Sequence, residues 1–398
     1  MYPRLIVLGA LHLTFIIWYL GSSGVISQWP ITTLWSMLLL LYLCKEIVLP
    51  SSFKPAIVLI KDDWIFLAFI FFVGGRIISD FLFKGDQIDY NGASLFEFNA
   101  NVLYLMVMYY LLGRFCFDYA LKNMRVITIG FSILFACVML NIDHGLGRIK
   151  MDFLDERKMG LYLILGDIFS LVAIAAFCSV KRNDAKVAIS LFSLVALFYL
   201  NSRASLYVSL LVYVSYFSFI KLTNVIKYGF FFLATLLLIL FIYGDSAIES
   251  NERMFFGFGN AGEDLSLAGR NEMMDLGLDH ILSNVIFGNY GGVIQDVGVI
   301  GAYIHNAMSY WQQFGLFAFV IFVYLTLSNF ISLFKLALSN RDVFSRVDCQ
   351  FVILGGFFSV LMVVFARSYA WYLVWLFIGY SASVRELLYS AARIRSSQ

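Results

Sequence analysis

Residues 64–83 read WIFLAFIFFVGGRIISDFLF, twenty positions holding one arginine and one aspartate. About 20 apolar residues at the helical rise of 1.5 Å span the hydrocarbon core of a bilayer, so this stretch predicts a membrane-spanning helix. Comparable windows recur near 5–21, 31–49, 100–118, 124–142, 160–180, 185–201, 204–220, 227–244, 303–328, 350–366 and 369–384. Between the ninth and tenth, residues 245–302 form the only long polar interruption. The expectation is an all-α integral membrane protein of about 12 transmembrane helices, a single polytopic domain over residues 1–398 with one large loop at 245–302.

Composition demands the same class. Of 398 residues, 61% are hydrophobic and only 14% are charged, with a mean hydropathy of +0.83. Soluble chains carry about 45–50% apolar and about 25% charged residues. The apolar excess must therefore face lipid. The first window keeps His12, Trp18 and Tyr19 and shows no small-residue cleavage site, so it reads as a helix rather than a cleaved signal. Five scattered cysteines without a CxxC pair support neither a disulfide framework nor a zinc site.

Lysine and arginine orient the chain. With the N-terminus inside, eighteen basic residues fall in cytoplasmic segments and nine on the other side, Arg76 lying within a helix. Both termini are then cytoplasmic and the acidic 245–302 loop is outside. Within it, residues 271–286 suggest an amphipathic helix resting on the membrane surface, its apolar positions including Met274, Leu278 and Ile281.

Ions inside membrane helices are functional candidates by default. Arg76 and Asp80, at i,i+4, can neutralise each other instead. Asp167 has no partner on its own helix and is expected to pair across helices with a cation. A proton-coupled carrier needs a midplane relay of Asp, Glu and His, which this chain lacks.

Three residues at the outer face carry possible chemistry. Arg203 opens a helix after the tight Asn201-Ser202 turn; it either snorkels to headgroups or offers a donor fork to phosphate. Arg270 begins the expected loop helix, where an anion would be favoured, or else pairs with the acidic residues around it. His305 stands at the doorway of the tenth window, with Asn306 beside it to orient a substrate or a peptide. Imidazole suits a general base near neutral pH, although a histidine at a helix end also serves as a cap. No metal-ligand set is apparent, and neither a cofactor nor a nucleic-acid partner is expected.

Taken in order, the motifs resemble the O-antigen polymerase and O-antigen ligase superfamily of bacterial inner-membrane glycosyltransferases. They are Arg157-Lys158-Met159-Gly160, Asn201-Ser202-Arg203, Gly269-Arg270, Asn284-Val285-Ile286-Phe287-Gly288, and Ile304-His305-Asn306 followed by Gln312-Gln313-Phe314-Gly315. The resemblance implies a GT-C-like helical fold with the catalytic centre facing the periplasm. It further implies metal-independent, inverting transfer of an undecaprenyl-diphosphate-linked oligosaccharide. In that reading Arg203 and Arg270 hold the diphosphate, His305 deprotonates the acceptor hydroxyl, and Asn306, Arg157 and Lys158 bind substrate. A polymerase, moving the chain onto another lipid-linked repeat unit, is the first expectation. A ligase to lipid A-core is the second, and a polysaccharide flippase without catalysis the third. Membrane lipid and a chain-length regulator are the other partners implied. Members often carry an acidic residue shortly before the glycine at 315, where this chain has Gln312-Gln313, and a proline is missing from the 284–288 motif.

Overall fold

The computed structural model describes chiefly residues 59–115, 124–143, 161–220, 265–339 and 346–396, with the short stretches 14–22 and 148–149 and a few isolated positions. Helices dominate. They are α1 (Thr14–Ser22), α2 (Lys61–Lys84), α3 (Leu95–Phe115), α4 (Met124–Leu140), α5 (Leu161–Ser179), α6 (Asn183–Tyr199) and α7 (Arg203–Ile220). They continue with α8 (Leu265–Ser283), α9 (Gly292–Val297), α10 (Met308–Phe314), α11 (Leu316–Ser339), α12 (Val347–Phe365) and α13 (Leu373–Ser396). After α4, the two-residue strands β1 (Ile142–Asp143) and β2 (Arg148–Ile149) pair antiparallel.

Among the described residues, four helices are long and apolar enough to cross a membrane: α2, α3, α11 over Leu316–Lys335, and α12. Their outer faces show why they need lipid. Along α11, Phe317, Val320, Tyr324, Leu327, Ile331 and Phe334 recur every three or four residues and all remain exposed. An apolar stripe of that length in water would be costly at about 25 cal/mol per Å². The chain is therefore a multi-pass, membrane-embedded helical protein. The expected windows at 31–49 and 227–244 lie almost wholly outside the described residues, as do Arg157 and Lys158.

Two compact units make up the chain. The first comprises residues 1–39, 116–261 and 342–358. Its centre is α5, whose residues 165–179 are buried throughout. Phe169 of α5 meets Phe15 of α1 and Phe131 of α4 at ring separations of 5.9 and 5.7 Å. Lys186 of α6 is buried, donates to Gln350 Oε1 at 3.0 Å, and lies 4.6–4.7 Å from the rings of Phe177 and Tyr216. Those π faces offset part of the cost of burying its charge.

The second unit comprises residues 40–115, 262–341 and 359–398. Here α3 and α13 touch backbone to backbone. A Cβ on Gly113 would stand 2.1 Å from the Leu376 carbonyl oxygen, and one on Gly379 2.2 Å from that of Tyr110. Small residues permit this approach, and dispersion between the two backbones holds it. At one end of the pair, Asp63 accepts from Tyr110 Oη at 2.7 Å and Arg114 Nε at 3.1 Å, while Arg114 also bridges Glu386 at 2.7 Å. Asp63 additionally caps its own helix by accepting from the Ile60 amide at 2.8 Å.

The window expected to span at 303–328 is corrected by the structure. Residues 301–307 are irregular, α10 runs only to Phe314, and the membrane-length helix begins at Leu316. Gly315, at φ 86°, breaks the two apart. A left-handed residue cannot continue a right-handed helix, and glycine adopts that conformation without the Cβ penalty.

Candidate functional site

The site residues of the second unit converge on the loop that carries His305. Its backbone is held from two sides. On one, the Ala307 amide donates to the Val363 carbonyl of α12 at 2.7 Å, and the Tyr369 amide donates to Ser309 Oγ at 2.7 Å. On the other, Ile304 is fully buried against α8, where a Cβ at Gly277 would lie 2.2 Å from Ile304 Cγ1. An aromatic floor lies below. Tyr303 packs 5.0 Å from Tyr369, whose hydroxyl donates to Asn99 Oδ1 at 2.8 Å, and Asn99 Nδ2 donates to Tyr290 Oη at 2.9 Å. Neighbouring fixed rings and satisfied amides make this a rigid platform.

His305 itself is half-buried. Burial first, then the guanidiniums of Arg270 and Arg367, push its imidazole down from 6.5 to about 4. The ring is thus a neutral proton acceptor at physiological pH, flanked by two permanent positive charges. Arg367 sits in the turn that follows α12; it is buried and donates to the Ala366 carbonyl at 3.2 Å. Burial also raises the Tyr303 phenol, against the opposing effect of a hydrogen bond with Ser368. Asn306 is partly committed: its Oδ1 accepts from the Met308 amide at 2.8 Å, starting α10.

Two sequence expectations about the loop helix change. It spans Leu265–Ser283 rather than 271–286, and Arg270 lies within its second turn. Arg270 therefore gains nothing from a helix N-terminus. Its proximity to His305 comes instead from the way Ile304 seats on α8.

Arg203 is the first residue of α7, in the other unit. The turn before it puts Asn201 at φ 55°, one of the few non-glycine types that tolerate this conformation. Beneath the turn, Ser202 and Ser205 share a 2.7 Å hydrogen bond, and Ser205 Oγ donates to Asp167 Oδ1 at 2.6 Å; all three are fully buried. That serine hydroxyl gives Asp167 a partner from α7, across from its own helix. In the second unit, Asp80 pairs with Arg76 at 3.6 Å as foreseen, and more closely with Lys84 at 3.2 Å.

Two motifs that were separate in the sequence form one piece of scaffold. The Leu316 amide donates to the Ile286 carbonyl at 3.1 Å, the Asn289 amide to Gln312 O at 2.7 Å, and Trp311 Nε1 to Val285 O at 2.7 Å. A Cβ on Gly288, at φ 68°, would stand 2.6 Å from the Gly315 amide nitrogen. The glycines of 284–288 and 312–315 thus serve a backbone crossing. In the sequence, the one local signal of Arg367 is a cation at the end of an apolar window. Among the described residues, no three His, Cys, Asp or Glu side chains gather as a metal-ligand set. No protein-family model matches the chain, and no curated protein matches it.

Proposed function

We propose that this chain is a membrane glycosyltransferase of surface-polysaccharide assembly. It moves an undecaprenyl-diphosphate-linked glycan onto another lipid-linked repeat unit at the periplasmic face of the bacterial inner membrane. A fold of about twelve spans with cytoplasmic termini belongs to this reading, as does metal independence. The observation that carries it is the neutral imidazole of His305 set beside two guanidiniums, Arg270 and Arg367. That arrangement suits a reaction needing one proton acceptor and a fixed positive field for a departing diphosphate.

In the step, the acceptor hydroxyl loses its proton to His305 as its oxygen attacks the anomeric carbon. The bond from that carbon to the phosphate oxygen breaks, and undecaprenyl diphosphate leaves with the electron pair. Arg270 and Arg367 stabilise the charge that develops on the leaving oxygens. The donor's own charge has a second effect. Placed between the guanidiniums, it offsets the repulsion that weakens His305 as a base, so basicity rises only when the donor is bound. The family resemblance separately gives Arg203 a phosphate-binding role.

Deleting the gene and running surface lipopolysaccharide on a gel tests the reading. Core capped by a single repeat unit is the expected result. Bare core, with long chains left on undecaprenyl diphosphate, assigns a ligase instead. An unchanged ladder overturns both. Complementation with His305→Ala or Arg270→Ala should leave the deletion phenotype in place at normal protein abundance.

A further inference from the structure

His280 shows no chemistry in the sequence, lying among acidic residues of the loop, yet it is buried at 6% exposure and fully engaged. Its Nε2 lies 2.5 Å from Asp296 Oδ2, and its Nδ1 lies 3.4 Å from Gln312 Nε2. Gln312 is completely buried, and its Oε1 accepts from the Ile304 amide at 3.1 Å. We infer that Asp296, His280 and Gln312 form a hydrogen-bonded relay that positions His305 through the Ile304 peptide. This inference rests on the catalytic role proposed above for His305.

Donor and acceptor chemistry sets the polarity of the chain. An amide N–H can only donate, so the Ile304 nitrogen requires the oxygen end of Gln312. The amide nitrogen of Gln312 then faces His280 and donates to Nδ1, which must carry its lone pair. The imidazole proton is consequently on Nε2, directed at the carboxylate of Asp296. Every link has one permitted direction, so the relay specifies a single tautomer of His280 and a single orientation of Gln312. Asp296 is half-exposed, with 47% of its side chain accessible, and anchors the relay from α9. Its partners lie on α8 and α10, the elements between which Ile304 is seated.

The relay also gives a reason for an amide rather than an acid at position 312. A carboxylate at 312 could accept from Ile304 but would have no proton for a neutral His280. Here the acid stands at the far end of the relay, on Asp296, and an amide passes the orientation along. Gln312 and His280 are positioning residues; neither need touch substrate.

The test uses the purified full-length chain in nanodiscs and the undecaprenyl-diphosphate-linked oligosaccharide extracted from source cells lacking this gene. Gln312→Met removes both links of similar volume. It should lower kcat at least about tenfold while leaving the donor KM within about twofold, since misplacement by about 1 Å can cost about a hundredfold. Gln312→Glu keeps the acceptor for the Ile304 amide and loses only the donor to His280, so it should recover part of the loss. His305→Ala is run alongside: full turnover there overturns the function itself. An inactive His305→Ala with a fully active Gln312→Met overturns the relay alone. A second readout needs no turnover: the rate at which diethyl pyrocarbonate modifies His305, followed by mass spectrometry. Gln312→Met should change that rate about threefold and Gln312→Glu by less; equal rates in all three proteins overturn the relay.

Discussion

Acidification should find His305 unusually reluctant to take a proton. Its imidazole sits at about 4 against an ordinary 6.5. A gap of that size corresponds to roughly 3 kcal/mol against the charged form, at 1.36 kcal/mol for each pKa unit. Burial contributes most, followed by Arg270 and then Arg367. The sign follows from linkage: between about pH 4 and 6.5 the unfolded chain binds more protons than the folded one. Stability therefore falls as pH drops through that window, and His305 costs nothing above it. The acid limb of kcat/KM, which reports the free enzyme, should lie near pH 4. The limb of kcat should lie higher, because the bound diphosphate offsets the guanidiniums. The chain contains four histidines, so histidine-selective 13C labelling in nanodiscs resolves each titration, with His305→Gln giving the assignment. Arg367→Gln should shift the His305 midpoint upward, by less than Arg270→Gln does. A midpoint at about 6 or above in the free protein would refute the reasoning, because it would place the ring away from both arginines and in water.

Two further predictions concern the scaffold. Gly288→Ala forces a side chain into a left-handed position, costing about 1–2 kcal/mol, and drives its Cβ against the Gly315 backbone. It should sharply lower the melting temperature in detergent, whereas Gly75→Ala, with open space around it in α2, should be neutral or stabilising by up to about 1 kcal/mol. Arg114→Met should destabilise by about 3–5 kcal/mol, because it strands the buried carboxylate of Asp63. Chemical denaturation measures this, and Asp63→Asn in the same background should recover part of the loss.

Hydropathy is a local property, and the spans it marked at 64–83, 100–118 and 350–366 reappear as α2, α3 and α12 within a few residues at most boundaries. The Arg76–Asp80 pair was legible for the same reason, since i,i+4 geometry follows from the helix alone. The candidacy of His305 also came from sequence, as a titratable group at the edge of a polar segment. The tenth span did not survive as one helix. Its first part, residues 303–314, mixes apolar residues with His305, Asn306, Gln312 and Gln313, and its Ile304, Tyr310 and Phe314 are buried inside protein. Composition measures only the wish to leave water; it does not distinguish lipid from a protein core. The partners of the site were beyond reach for a related reason. Arg367 bears on His305 from the end of another helix, and His280 finds Asp296 and Gln312 on two further elements. Those pairings depend on chain crossings such as Gly288 over Gly315, which close only when distant segments pack. The sequence by itself determined that this chain is a multi-pass membrane protein built of apolar helices. The tertiary structure decided which charges surround the imidazole, because electrostatic and hydrogen-bond partners are chosen by distance in space.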